Sequence, residues 1–311
     1  MDVIKGYTLL GELSAQNAGF CQWGFCRKSD REYFIKELLT PVYPTGTEKI
    51  SPDLLTRKRQ LCDNFYNEKK NFYNVLNCCR TGNIVQIVEF FRFGSKYYIV
   101  TDKVFSDGTD PQIIACLSNE EKLVFLRALL YSVARFHHAG IIHADLKPDN
   151  ILLKKTEKGC YTAKIIDFDA GFLKEKTPTE VQGDFLYLSP EAYLKMSEEP
   201  VELTEKLDIF ALGILLYQYW TGKLPSLGSD YRYVFEAVLD GSEVHLADSI
   251  PLNLRTLISR MLSKDPASRP DADEILQKIQ LDTDHRASGT LKVFMPSSVP
   301  AGFRPLTDDD L

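Results

Sequence analysis

The segment His143-Ala-Asp145-Leu-Lys147-Pro-Asp-Asn150, followed after an apolar stretch by Asp167-Phe168-Asp169, constrains this chain more than any other feature. Two short β-like runs, around Ile151 to Leu153 and Lys164 to Ile166, sit beside these acids and amides. Taken singly, an Asp near a turn is usually a cap and a Lys a solvated surface charge. Two acids, an amide and a lysine in this order between apolar segments need another account. Phosphoryl transfer supplies one, because it asks a protein for aligned phosphates and neutralised charge rather than for covalent chemistry. Asp145 suits the acceptance of a hydroxyl proton, and Asp167 with Asn150 the holding of divalent metal. Lys147 stands where it can reach a γ-phosphate.

The flanking sequence divides into two regions. Residues 7–37 read as three strands, YTLLGELS, CQWGFCRK and REYFIKEL, with a polar Ser29-Asp30 turn between the last two. A Pro- and Gly-containing connection follows, then Ser51-Pro52 as N-cap and N1 of a long helix running towards Cys78. NIVQIVEFF and KYYIVTDKV add two strands. After Val104 helices take over. Ser118 and Glu121 form a capping-box signature ahead of Leu123, Leu126, Leu130 and Val133, and LDIFALGILLYQYW is apolar nearly all round, as a helix inside a lobe should be. Residues 282–311 have no periodicity and read as a flexible tail. The reading is therefore α+β: a sheet lobe over 1–102 and a helical lobe over 103–281.

Composition removes competing classes. Across 311 residues, 44% are hydrophobic and 26% charged, which excludes disordered and fibrous chains. A net charge of -6 with interspersed signs speaks against nucleic acid as a partner. The opening MDVIKGYTLLGELS lacks a secretory signal, and residues 209–220 are too short and polar to cross a bilayer. Seven scattered cysteines without CxxC spacing fit thiols in a reducing cytoplasm better than disulfides or zinc.

These motifs resemble those of the eukaryotic-like serine/threonine protein kinases over roughly residues 7–280. HADLKPDN is similar to the family's HRDLKxxN catalytic loop, and DFD stands where DFG is usual. The resemblance implies a bilobal fold, a five-stranded antiparallel sheet with one main helix above a mainly helical lobe. ATP with Mg2+ or Mn2+ would lie in the cleft between them. It makes Lys36 in YFIKEL the lysine of the α- and β-phosphates and Glu68 its helix partner. Thr101, Asp102 and Val104 form the hinge, Leu13, Cys21, Phe34 and Leu152 the apolar walls, and Gly19 the last glycine of the phosphate loop. GDFLYLSPE resembles the end of an activation segment whose Glu191 pairs with Arg269, a platform for a protein substrate. Asp208 matches the residue that hydrogen-bonds the catalytic-loop backbone. Lys147 followed by proline resembles the serine/threonine class, with self-phosphorylation as one consequence.

Several positions depart from the family pattern. Ser14 and Gln16 replace two loop glycines, which predicts weaker nucleotide affinity. Ala144 replaces the arginine that receives an activation-loop phosphate, so Thr177 and Thr179 are expected to be dispensable as phosphorylation sites. Asp184 replaces a threonine; it can pair with Lys147 or repel Asp145. These changes, with the insertion at 40–54, resemble divergent bacterial kinases. They keep two rivals open, a pseudokinase or nucleotide-binding scaffold with little turnover, and a small-molecule kinase.

Overall fold

Left-handed backbone at two short turns builds the sheet. In the computed structural model, which describes residues 2–16, 19, 21–46, 49–157 and 159–284, Lys5 and Gly6 take φ of 49° and 83°. That turn folds β1 (Val3–Ile4) back onto β2 (Tyr7–Leu9). Ser29 and Asp30, at 47° and 60°, form the positive-φ pair that a two-residue hairpin requires between β3 (Cys21–Lys28) and β4 (Arg31–Leu38). With α1 (Pro52–Cys78) intervening, β5 (Ile87–Phe93) and β6 (Lys96–Asp102) complete an antiparallel sheet of order β1-β2-β3-β4-β6-β5. Six strands thus replace the expected five. The added β1 is two residues long, too short to show a period-2 pattern.

Ser51 caps α1 as expected: its Oγ accepts from the Leu54 N–H at 3.3 Å, and Pro52 follows at the first helical position. Beyond the sheet come α2 (Pro111–Ala115) and α3 (Asn119–His138), the latter opened by the reciprocal Ser118–Glu121 capping box. Short antiparallel pairs follow, β7 (Ile141–Ile142) with β10 (Phe172–Leu173) and β8 (Ile151–Lys155) with β9 (Tyr161–Ile165). The remaining helices are α4 (Pro190–Met196), α5 (Lys206–Thr221), α6 (Val234–Leu239), α7 (Leu252–Met261) and α8 (Ala272–Asp284). Residues 282–284 belong to α8, and the rest of the expected tail lies outside the described residues.

α5 is buried on nearly every face and centres the main core, which reaches up to Phe72, Tyr73 and Leu76 of α1 and Ile99 of β6. A smaller core of Tyr7, Cys26, Ile35, Phe91, Tyr98 and Val100 covers the sheet's other face. Side-chain alternation therefore aims one face of the sheet at the helical lobe and seals the other.

Glu191, in the first turn of α4, and Arg269 are both buried and meet in a bidentate pair at 2.6 and 2.8 Å. Arg269 also donates to the carbonyls of Ser263, Lys206 and Lys264 at 2.8, 2.9 and 3.3 Å, which satisfies its remaining donors. Deleting one partner of such a pair strands the other charge, so Arg269→Met should lower stability by about 3–5 kcal/mol in urea denaturation. A loss under about 1 kcal/mol would show that Glu191 is solvated.

Candidate active site

Asp208 of α5, fully buried, shapes the loop that carries Asp145. Its Oδ2 accepts from the His143 N–H at 2.8 Å and lies 2.9 Å from His137 Nε2, while Oδ1 accepts from the Ala144 N–H at 2.9 Å. These bonds hold Ala144 at φ 65°, a conformation an alanine rarely takes without such restraint. The chain then turns through Pro148–Asn150, and the Asn150 Nδ2 donates to the Asp145 carbonyl at 2.7 Å and to its Oδ2 at 3.0 Å. Lys147 Nζ lies 2.9 Å from the same Oδ2, and the Asp184 N–H donates to Oδ1 at 3.3 Å. Asp145, Lys147 and Asn150 are thus brought together. Burial pulls the Lys147 ammonium down, but its hydrogen bond and attraction to Asp145 outweigh this and hold it above the usual lysine range. The Asp184 carboxylate acts on Lys147 through space while accepting the Leu186 N–H at 3.0 Å, so it caps its own turn.

A second cluster faces this loop. Phe168 is buried against His143 and Phe136, with ring centroids 4.5 and 5.5 Å apart. With Phe168 turned into the core, its two neighbours reach the same place: Lys36 Nζ sits 2.7 Å from Asp167 Oδ1 and 2.8 Å from Asp169 Oδ2. Burial lowers the affinity of Lys36 for its proton, yet Asp169 and Asp167 reverse this and raise it above the ordinary lysine range. Burial and the adjacent Asp167 push the Asp169 carboxyl upward; burial opposes ionisation of Asp167 too, but Lys36 wins and holds it low.

The expected Lys36–Glu68 pair is absent. Glu68, with its side chain 51% exposed, pairs instead with Lys176 at 2.6 Å. The reason is helical phase. The buried residues of α1 are Cys62, Phe72, Tyr73 and Leu76, and Lys69 lies seven residues from both Cys62 and Leu76, on the inward stripe. Glu68 is turned away by roughly 100°. Lys69 therefore enters the cluster, donating to the Asp169 carbonyl at 2.6 Å, and burial depresses its ammonium. The even run from Cys62 to Leu76 through Lys69 was the signal in the sequence that could have found it.

On the sheet, Cys21, Trp23 and Phe25 of β3 pair in register with Leu38, Lys36 and Phe34 of β4, so all six point to the face that carries Lys36. Thr101 opposite Phe34 shares that face. Cys21 is buried and Phe34 half-buried; Leu152 on β8 and Val104 after β6 are half-buried as well. Leu13 is not on that face. The Ser14–Trp23 bridge puts Ser14 there and turns Leu13 to the other side, where it packs beside Gly24 and the smaller core. One residue of register decides this. Trp23, which the motifs did not single out, lies within the cleft face and donates its Nε1–H to the Gln16 carbonyl at 2.9 Å. Gly19 takes φ 54° before β3, and residues 17, 18 and 20 of the same loop lie outside the described residues. Asp102 points outward to Arg31 at 2.8 Å, leaving only its backbone for a hinge role.

A family profile of the protein kinase domain matches residues 54–279. The chain belongs to the protein kinase family. Mouse sperm motility kinase Z is 30% identical over 200 residues, 62% of this chain and 38% of that protein. A Wee1-like protein kinase of Oryza sativa subsp. japonica is 32% identical over 164 residues, 51% of this chain and 29% of that protein. Human hormonally up-regulated neu tumor-associated kinase is 24% identical over 262 residues, 81% and 35% of the two chains. The chain thus spans about a third of the length of the curated relatives it matches. These are animal and plant proteins, and the expected bacterial character gains no support from them. The matched span begins after β4, so the placing of Lys36 rests on the geometry above.

A protein kinase domain implies ATP and a divalent metal, and the residues present fit both. Asp167 Oδ1 is buried and, although close to Lys36, lacks an aligned hydrogen bond. Asn150 commits its Nδ2 to Asp145, so its amide oxygen is the atom left for a cation. Hard oxygens in this small number are what a metal that also takes phosphate ligands asks of the protein.

The loop geometry depends on Asp208. Asp208→Ala would leave two buried N–H groups unpaired, at about 1–3 kcal/mol each. The expected result is a drop in urea midpoint corresponding to about 3 kcal/mol or more; a midpoint equal to wild type would mean that the loop is held elsewhere.

Proposed function

We propose that this kinase domain is an active serine/threonine protein kinase that transfers the γ-phosphate of ATP to protein hydroxyls with Mg2+ or Mn2+. The observation that carries the reading is the fixed Asp145 carboxylate, held between Lys147 and Asn150 at 2.9 and 3.0 Å. Asp145 is positioned to take the proton of an incoming hydroxyl, and Lys147 to offset charge on the phosphate oxygens. Asp167 and Asn150 would hold the metal, and Lys36 the α- and β-phosphates. A metal held there would supply positive charge to offset that of the phosphate oxygens. Cys21, Phe34, Thr101, Val104 and Leu152 are the apolar and hinge residues offered to a base.

A protein substrate is favoured by the buried Glu191–Arg269 pair, which anchors the segment leading into α4. The serine/threonine class is favoured by Lys147-Pro148, and self-phosphorylation follows where a hydroxyl of the chain reaches the cleft. Thr177 and Thr179 are exposed, and with alanine at 144 activity is expected without phosphate on either. Seven cysteines without a disulfide suit the cytoplasm, and no described helix is long and apolar enough to cross a membrane.

Asp145→Asn keeps the side-chain volume and removes the base. Radiolabelled phosphate incorporation into a basic test protein, resolved by phosphoamino-acid analysis, should appear on serine and threonine and fall by about 10²-fold or more in the variant. Equal signal in both proteins would favour the alternative, a pseudokinase or nucleotide-binding scaffold with little turnover. Asp167→Ala should abolish the difference between calorimetric ATP titrations with and without magnesium; a surviving difference would place the metal on other residues.

A further inference from the structure

Three features of the cluster around Lys36 set it apart from a lysine clamped by a helix glutamate. The Lys36 side chain is only 12% exposed, and both acidic partners of its ammonium come from the Asp167-Phe168-Asp169 turn of the helical lobe. α1 contributes a lysine where an acid was expected, because phase puts Lys69 and not Glu68 on its inward stripe. Glu68 is engaged across the surface with Lys176. The cluster therefore has the Lys36 ammonium between two carboxylates, with the Lys69 ammonium on the Asp169 backbone carbonyl.

We infer that Asp169 is the positioning residue for Lys36 in this kinase, performing from the turn after Asp167 the task expected of Glu68, with Lys69 stabilising the turn through the Asp169 carbonyl. This deepens the kinase reading above and rests on it. The geometry requires aspartate at 169. Phe168 fills the core, and the turn, with Asp167 at φ 61°, brings the side chains on either side of it to the Lys36 ammonium. One of them, Asp167, has an oxygen without an aligned donor and is suited to the metal. Once Asp167 is committed to a cation, Asp169 is the acid that remains to hold the Lys36 ammonium in place; its Oδ2 already accepts that hydrogen bond at 2.8 Å. Glycine at 169 would supply no such group. The aspartate in place of glycine and the outward-facing Glu68 are thus one change seen from two elements.

The test uses the full chain with four variants: Asp169→Asn, Asp169→Gly, Glu68→Gln and the double variant Asp169→Gly/Lys69→Glu. The last moves the carboxylate to the α1 residue that faces the cluster. Mg-ADP affinity is read by titration calorimetry, and kcat and KM for ATP by phosphate incorporation. Asp169→Asn and Asp169→Gly should each weaken Mg-ADP binding and raise KM about tenfold, with a smaller change in kcat. Glu68→Gln should stay within about twofold of wild type, and the double variant should recover most of the loss, a rescue that a merely structural role would not give. The inference is overturned if both Asp169 variants bind within twofold of wild type, if Glu68→Gln loses as much as they do, or if the double variant melts like wild type but recovers nothing. It is overturned too if wild type binds no Mg-ADP, since Asp169 would then hold Lys36 away from phosphate. Wild type that binds Mg-ADP without transferring phosphate sinks the active-kinase reading alone, and the binding comparison still decides the role of Asp169.

Discussion

The contact between Lys36 and the paired acids Asp167 and Asp169 ties the sheet to the helical lobe across the candidate site. Strand pairing alone aims Lys36 out of the sheet, and burial works against its charge. Only carboxylates within about 3 Å in a poorly solvated setting offset that desolvation. The helical lobe supplies them through Phe168, whose ring is fixed by His143 and Phe136. Apolar packing thereby sets the position of the charges.

The same logic runs through the lower half of the site. Asp208 is a buried charge stabilised by two backbone N–H groups and His137, and it holds the loop that presents Asp145. Glu191 and Arg269 form a second buried pair that fixes the segment ahead of α4. Each is costly in isolation and tolerated because its donors or acceptors are saturated. The side chains of the candidate site inherit rigidity from buried groups outside it.

Much of this was legible in the residues. HADLKPDN and DFD drew out Asp145, Lys147, Asn150 and Asp167 as one set of polar groups between strands, and the fold places the first three in one cluster and Asp167 beside Lys36. Caps were legible too: Ser51-Pro52 and the Ser118–Glu121 box start helices where expected, since capping is a local hydrogen bond. The turn at Ser29-Asp30 is equally local. Glu68 and Leu13 were misplaced, and for a shared reason. Each lies one residue from the side chain that occupies the expected direction, Lys69 on the helix and Ser14 beside the strand. A shift of one residue rotates a helix by roughly 100° and inverts a strand.

What the sequence by itself determined was the order of elements and the chemistry available, since periodicity, caps and motif residues are properties of short segments. The tertiary structure alone decided which neighbour faces inward. Phase depends on how α1 seats Cys62, Phe72, Tyr73 and Leu76 against both the sheet and the helical lobe, a sum of contacts between residues far apart in the chain. That seating turns Lys69 into the cluster and leaves Asp167 and Asp169, distant in sequence from Lys36, as the acids within its reach.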